Sequence, residues 1–204
     1  MTSELFNHIK QGATVMKKSL LMIFVSAAMA ASGADTIILK EDFSNPETVK
    51  AAWDIAQNKI ENGQLMIGKN NKSVELKQKL TGKDNITISL EAALTENSGF
   101  GGIKIDEIMF NILSDKAVII YKRPDVSWLD SRQLLFKDAG AGKFHKMEIS
   151  RTKENGKYIY TYKVDGNVVY TLKNYQFPPT DKLYIQKSRT GVMVKNIQIT
   201  EPGK

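Results

Sequence analysis

The segment "FHKMEISRTKENGKYIYTYKVDGNVVYTLK", residues 144–173, constrains the fold more than any other part of the chain. Tyr158, Tyr160, Tyr162 and Val164 fall at every second position, which lines them up on one face of a strand and not of a helix. Two dipeptides, Asn155-Gly156 and Asp165-Gly166, interrupt the alternation. Asn, Asp and Gly accept positive φ at low cost, so each pair predicts a two-residue hairpin turn. Residues 144–153, 157–164 and 167–173 are therefore expected to form a three-stranded antiparallel meander.

The same period recurs along the chain. "NITISLEAAL" places Ile86, Ile88, Leu90, Ala92 and Leu94 on one face and Thr87, Ser89 and Glu91 on the other, a strand with one wet face. Further runs predict strands at 36–43, 64–68, 74–76, 102–105, 108–113, 117–123, 133–137, 182–186 and 191–200. Parity switches between Ile105 and Ile108, which predicts a tight turn or a bulge at Asp106-Glu107. It switches again between Val194 and Ile197, which predicts a bulge at Lys195-Asn196. Only "NPETVKAAWDI" suggests helix, one or two turns with Asn45 as cap and Pro46 at the first helical position. About a dozen short strands with Gly, Asn and Asp turns predict an all-β sandwich or barrel. The absence of a fixed-period repeat argues against a propeller or solenoid.

The amino-terminal part follows a different rule. From Met16 the chain reads "MKKSLLMIFVSAAMAASGA": two lysines, an apolar run, then small residues. That order is the pattern of a secretory signal peptide, and a run of about 11 apolar residues is too short to span a bilayer. Cleavage after Ala30 or Ala34 fits the small-residue rule. The expected organisation is a start-site artefact at 1–15, a leader at 16–34 and one folded domain at 35–204, periplasmic or secreted. The chain has no cysteine. That excludes disulfides, thiolate metal sites, a Cys nucleophile and a lipoprotein anchor, so a hydrophobic core must hold the domain together. Residues 35–204 carry 26 basic and 21 acidic side chains, a net charge of +5. The lysines are scattered, which reads as a solvated basic surface and not as a nucleic-acid site. Export argues against nucleic acid as well, and no membrane insertion is expected once the leader is removed.

Three patches together resemble a known superfamily. The first is "EDFSNPETVKAAWDIAQNKIENGQLMIG", with Phe43, Trp53, Ile60, Gly63 and Leu65 in order. The second is "FHKMEISRTKENGKYIYTYKVDGNVV", and the third is "GVMVKNIQIT" with Asn196-Ile197. Their order resembles the concanavalin A-like jelly-roll superfamily, most of all its laminin G-like branch and the 3-keto-disaccharide hydrolase domain family. The resemblance covers about half of the expected domain. It implies a jelly-roll sandwich of about a dozen antiparallel strands in two sheets, with Trp53 in the core. Laminarinase-type relatives carry a Glu-x-Asp-x-(x)-Glu strand whose alternate acids share a groove. Here the nearest segment is "IDEIMF", where Asp106 and Glu107 are adjacent and no third acid follows. The resemblance therefore extends to the fold and not to that chemistry, and no catalytic set of the 3-keto-disaccharide hydrolase family is matched either.

Candidate chemistry is thin. The catalytic candidates are Asp106, Glu107 and His145. His145 is the only histidine after the leader, so a multi-His metal site is excluded. It shares parity with Met147 and Ile149, which favours a packed role. No cofactor is expected. Calcium would need oxygen ligands from loops, and no Asp-x-Asp loop is present. The stretch "YKRPDVSWLDSRQ" holds Trp128 outside any alternating run, between Asp125 and Asp130. A sugar ring stacks its apolar face on an aromatic and pairs its hydroxyls with Asp, Arg and Asn. Tyr121, Arg123, Asp125, Trp128, Asp130 and Arg132 are thus the candidate ligand-binding set. The competing reading has Trp128 closing the end of the sandwich. For Tyr158, Tyr160 and Tyr162 core packing is preferred over an exposed platform. The expected function is an exported, lectin-like domain whose partner is a glycan. The alternatives are a carbohydrate-active hydrolase of the 3-keto-disaccharide type and an envelope adhesion module with a protein partner.

Overall fold

The computed structural model describes residues 34–122, 129–137, 140–175 and 178–203, all within the unit Ser32–Lys204. The start-site segment and the leader, up to residue 33, lie outside the described residues. The elements in chain order are β1 (Thr36–Glu41), α1 (Pro46–Ala52), β2 (Trp53–Asp54), β3 (Lys59–Glu61), β4 (Gln64–Ile67), β5 (Val74–Leu76), β6 (Ile86–Leu94) and β7 (Phe100–Ile105). There follow β8 (Ile108–Ile112), β9 (Lys116–Lys122), β10 (Leu129–Leu135), β11 (His145–Glu154), β12 (Lys157–Val164), β13 (Asn167–Tyr175), β14 (Leu183–Ser188) and β15 (Val192–Glu201).

These strands form two antiparallel sheets. Sheet A runs β13-β12-β11-β6-β15-β4-β3, with β1 pairing the far half of β15. Sheet B runs β10-β9-β8-β7-β14-β5-β2. The meander β11-β12-β13 is present, and Asn155-Gly156 and Asp165-Gly166 turn it with positive φ at all four residues. Asn45 caps α1 by accepting the Glu47 amide at 3.0 Å, with Pro46 in the first turn.

The core lies between the sheets. Ile86, Ile88, Leu90, Ala92 and Leu94 are all buried, and so are Trp53, Phe110, Ile119, Tyr160 and Tyr162. Each fully buried Leu, Ile or Phe contributes about 1.5–3 kcal/mol before conformational entropy is set against it. Both parity switches have a structural cause. Asp106 and Glu107 form a two-residue β7–β8 turn with φ of 52° and 65°. In β15 the pairing with β6 slips between Lys195 and Gln198, where Asn196 has φ 54°.

One segment differs from the expectation. The polar stretch 121–133 reads as a connection, yet β10 begins at Leu129 and not at Gln133. β10 is the edge of sheet B and is hydrogen-bonded only to β9 among the described strands. Ser131, Arg132, Gln133 and Leu135 are all exposed, with Leu135 at 66%. With little of its surface buried, the strand carries no alternation to read. The strands β2 and β3 give no periodic signal for a different reason, since two and three residues are too few to show a period.

Candidate functional site

Sheet B turns alternate side chains away from the core, and they fall into rows set by the strand register. One row runs Gln133, Val118, Asn111, Gly102, Gln186 across five strands. The next runs Ser131, Ile120, Met109, Lys104, Tyr184, Glu75. Their neighbours Ile103, Ile105, Phe110, Ile119 and Ile185 face the core. Over β7 and β14 these rows border an open cleft of about 520 Å³, lined by Lys104, Glu107, Thr180, Lys182, Tyr184 and Gln186 together with Ser73.

The side chains that line the cleft are polar, and their charges are locally neutralised. Lys104 Nζ stands 2.8 Å from Glu107 Oε2, and Lys182 Nζ stands 3.3 Å from Glu75 Oε1. Hydrogen bonds to the Tyr184 hydroxyl and the Glu75 carboxylate hold the Lys182 ammonium above its usual range. Each cation has its own acid, so the surface offers hydrogen bonds more than net charge. Tyr184, half-buried between Lys104 and Glu75, supplies an aromatic surface. That combination suits a ligand with hydroxyls and an apolar face.

Asp106 and Glu107 separate as their adjacency requires. Glu107 is exposed on the cleft rim, whereas Asp106 is buried at 1% exposure. Asp106 Oδ2 accepts from Arg151 Nη1 at 2.5 Å and from the Tyr160 hydroxyl at 2.8 Å. Its Oδ1 accepts the Thr180 amide at 2.9 Å and the Asp181 amide at 3.4 Å. Arg151 also donates to the Lys83 carbonyl. Asp106 therefore ties the β7–β8 turn to β11, to β12 and to the chain before β14. It faces no cleft. Burial and then the charge of Asp106 drive the Tyr160 hydroxyl far above its usual range.

His145 is buried at 3% exposure, with its ring stacked on Phe136 at 3.9 Å between centroids. Its Nδ1 lies 2.7 Å from Asp165 Oδ2, while Asp165 Oδ1 accepts the Lys146 amide at 2.9 Å. The pair fastens the β12–β13 turn to the start of β11. His145 lines neither this cleft nor the smaller one of about 430 Å³ beside Gly156, Lys157 and Tyr158.

Of the candidate ligand-binding set, Arg123, Asp125 and Trp128 lie outside the described residues. Asp130 is placed by its backbone opposite Tyr121. Tyr121 is 4% exposed and stacks on Tyr170 of β13 at 6.1 Å and 8°. The Arg132 guanidinium lies over the same Tyr170 ring at 5.5 Å. Tyr121 and Arg132 thus meet through a residue that the linear pattern did not single out, and Tyr121 serves the core edge. Lys122 and Leu129, the strand ends that flank 123–128, stand at the same end of sheet B as Glu107. Lys104, Asn111, Tyr184 and Gln186 escaped sequence reasoning, because only the register of β8, β7 and β14 brings them together. Among the described residues no three His, Asp or Glu side chains are grouped to hold a metal ion. Nor is any helix among them long and apolar enough to cross a membrane.

No family model and no curated protein sequence matches the chain. Solved structures do. A non-specific endo-β-1,3(4)-glucanase of family GH16, SCLam, superposes with a TM-score of 0.60 at 12% identity, over 83% of this chain and 94% of that one. The Emp47p carbohydrate recognition domain superposes at 0.54 and 14% identity, over 87% and 100%. A bifunctional GH43-CE protein of Bacteroides eggerthii superposes at 0.59 and 11% identity over 80% of this chain, which spans only 27% of its length. At such identities the likeness is one of architecture alone, and it shows an all-β jelly-roll sandwich.

Proposed function

We propose that this chain is an exported glycan-binding domain that takes its ligand on the outer face of sheet B. The observation that carries the reading is the cleft bordered by Lys104, Tyr184 and Gln186, an aromatic surface among internally neutralised polar groups. The solved neighbours support it, since they include carbohydrate recognition domains and glycoside hydrolases. Trp128, from the candidate ligand-binding set, belongs to the segment between Lys122 and Leu129, two strand ends at the same end of sheet B as Glu107. The basic, apolar and small-residue order at 16–34 supports export.

The test is retention of purified residues 35–204 on an immobilised panel of laminarin, mixed-linkage β-glucan and mucin O-glycans. At least one glycan should be retained, and Trp128→Ala and Tyr184→Ala should each weaken retention while the melting temperature barely moves. Retention of none would end the reading. A hydrolase of the 3-keto-disaccharide type is the second reading, supported by the sequence resemblance. Turnover of 3-keto-glucosides by the wild-type domain, abolished by Glu107→Gln, would replace the first reading with it.

A further inference from the structure

Gly102 lies between Asn111 and Gln186 in the register of sheet B. A β-carbon there would sit 2.1 Å from the Phe110 carbonyl oxygen, so the position is closed to any side chain. With nothing standing between them, two side chains from strands that are not neighbours meet across β7: Gln186 Nε2 donates to Asn111 Oδ1 at 2.9 Å. Asn111 belongs to the outward row, yet it is 0% exposed. Its Nδ2 has no hydrogen-bond partner among the described residues. A buried donor left unmade destabilises the fold that carries it, and such groups call for an explanation. Exchanging oxygen and nitrogen in both carboxamides does not remove the deficit, because one of the two Asn111 atoms is still left over.

We infer that the Asn111–Gln186 pair is the hydroxyl-reading subsite of the cleft. This rests on the glycan reading above and makes it specific. Gln186 is half-buried on the cleft wall, so its side chain is the piece that turns aside. An entering sugar hydroxyl then meets the amide of Asn111. A hydroxyl both donates and accepts, so it satisfies the leftover atom in either orientation of the carboxamide. Among the described residues that line the cleft, Lys104 and Lys182 are each matched by an acid, so neither is the free cation that an anionic group would seek. The pair therefore selects a neutral sugar, and it selects for a hydroxyl at one ring position.

The test uses Asn111→Leu and Gln186→Ala in the 35–204 domain, with the glycan that the wild type retains best from the panel above and its monodeoxy analogues. Wild type should bind one deoxy analogue about tenfold more weakly than the parent. Asn111→Leu should bind the parent about tenfold more weakly and lose that discrimination. Its melting temperature should stay level or rise, since an unmet buried donor has been removed. A fall of several degrees would show that Asn111 is a structural residue and overturn the inference, whether or not any ligand is found. Binding of all analogues by Asn111→Leu as tightly as wild type would overturn it while leaving the glycan reading intact. Failure of the wild type to retain any glycan would remove both. Gln186→Ala should alter affinity without loss of stability, and unchanged affinity would count against its part in the subsite.

Discussion

Asp106 and Arg151 stand 2.5 Å apart with both side chains sealed from water, although 45 positions separate them in the chain. Other groups share in the network. Tyr160 and two backbone amides donate to Asp106, and Arg151 donates to the Lys83 carbonyl, while Arg151 Nε has no hydrogen-bond partner among the described residues. Removing one partner leaves the other charge buried and uncompensated, which costs about 3–5 kcal/mol. Asp106→Ala should therefore lower the free energy of urea unfolding by that amount. The double variant Asp106→Leu with Arg151→Met should recover a large part of the loss. Equal losses in both would mean that the network matters through shape and not through charge.

A second expectation concerns the bulge in β15. Asn196 sits at φ 54° and donates from Nδ2 to Glu91 Oε1 at 2.7 Å, which leads the causes that lower the Glu91 carboxyl from its ordinary range. Asn196→Ala loses both the tolerance of that backbone and the hydrogen bond, so about 1–2 kcal/mol should be lost in chemical unfolding. Asn196→Gly keeps the backbone freedom and should lose less. If glycine destabilises as much as alanine, the bulge is held by the Glu91 contact and not by φ.

Alkaline pH probes the Tyr175 side. Burial first, and then the charges of Glu107 and Asp106, push the Tyr175 hydroxyl up to about 12. A group whose pKa is raised on folding contributes stability below its unfolded pKa and loses it as pH climbs to the folded value. For a tyrosine that window runs from about pH 10 upward. Unfolding free energy should fall steadily between about pH 10 and 12, and Tyr175→Phe should flatten part of that slope. Parallel slopes for wild type and variant would place the alkaline loss elsewhere.

The glycine between Asn111 and Gln186 gives a fourth expectation. Gly102→Ala drives a methyl into the Phe110 carbonyl, so the backbone of β7 or β8 must shift. Soluble yield should collapse, or the melting temperature should drop by many degrees. A well-folded Gly102→Ala variant would show that β7 and β8 have room the structure does not display.

The fold was legible wherever one sheet face is dry. Ile86 to Leu94 and Tyr158 to Val164 alternate because core and solvent lie on opposite sides of one strand. The slips at Asp106-Glu107 and Lys195-Asn196 were legible for the same reason, since one added residue reverses the parity. β10 was not, because an edge strand with exposed Ser131, Gln133 and Leu135 buries too little to set a pattern. The cleft was not either. Asn111 and Gln186 are 75 residues apart, and only the pairing of β8, β7 and β14 brings their amides together. The four partners of Asp106 are also remote in sequence, 45 to 75 positions away, so its adjacency to Glu107 showed a turn and hid a buried ion pair.

The place of β15 in sheet A bears on how the molecule is assembled in time. β15 joins β6 on one edge to β4 and β1 on the other, although it follows all of them in the chain. Until it docks, three earlier strands wait with unpaired edges. Contacts this distant in sequence are slow to form, with folding expected in milliseconds to seconds. A chain interrupted before Gly191 would hold most of its hydrophobic residues and still lack the strand that zips the sheet shut. Growth of such a chain delays commitment to its structure until the last strand of sheet A has been made.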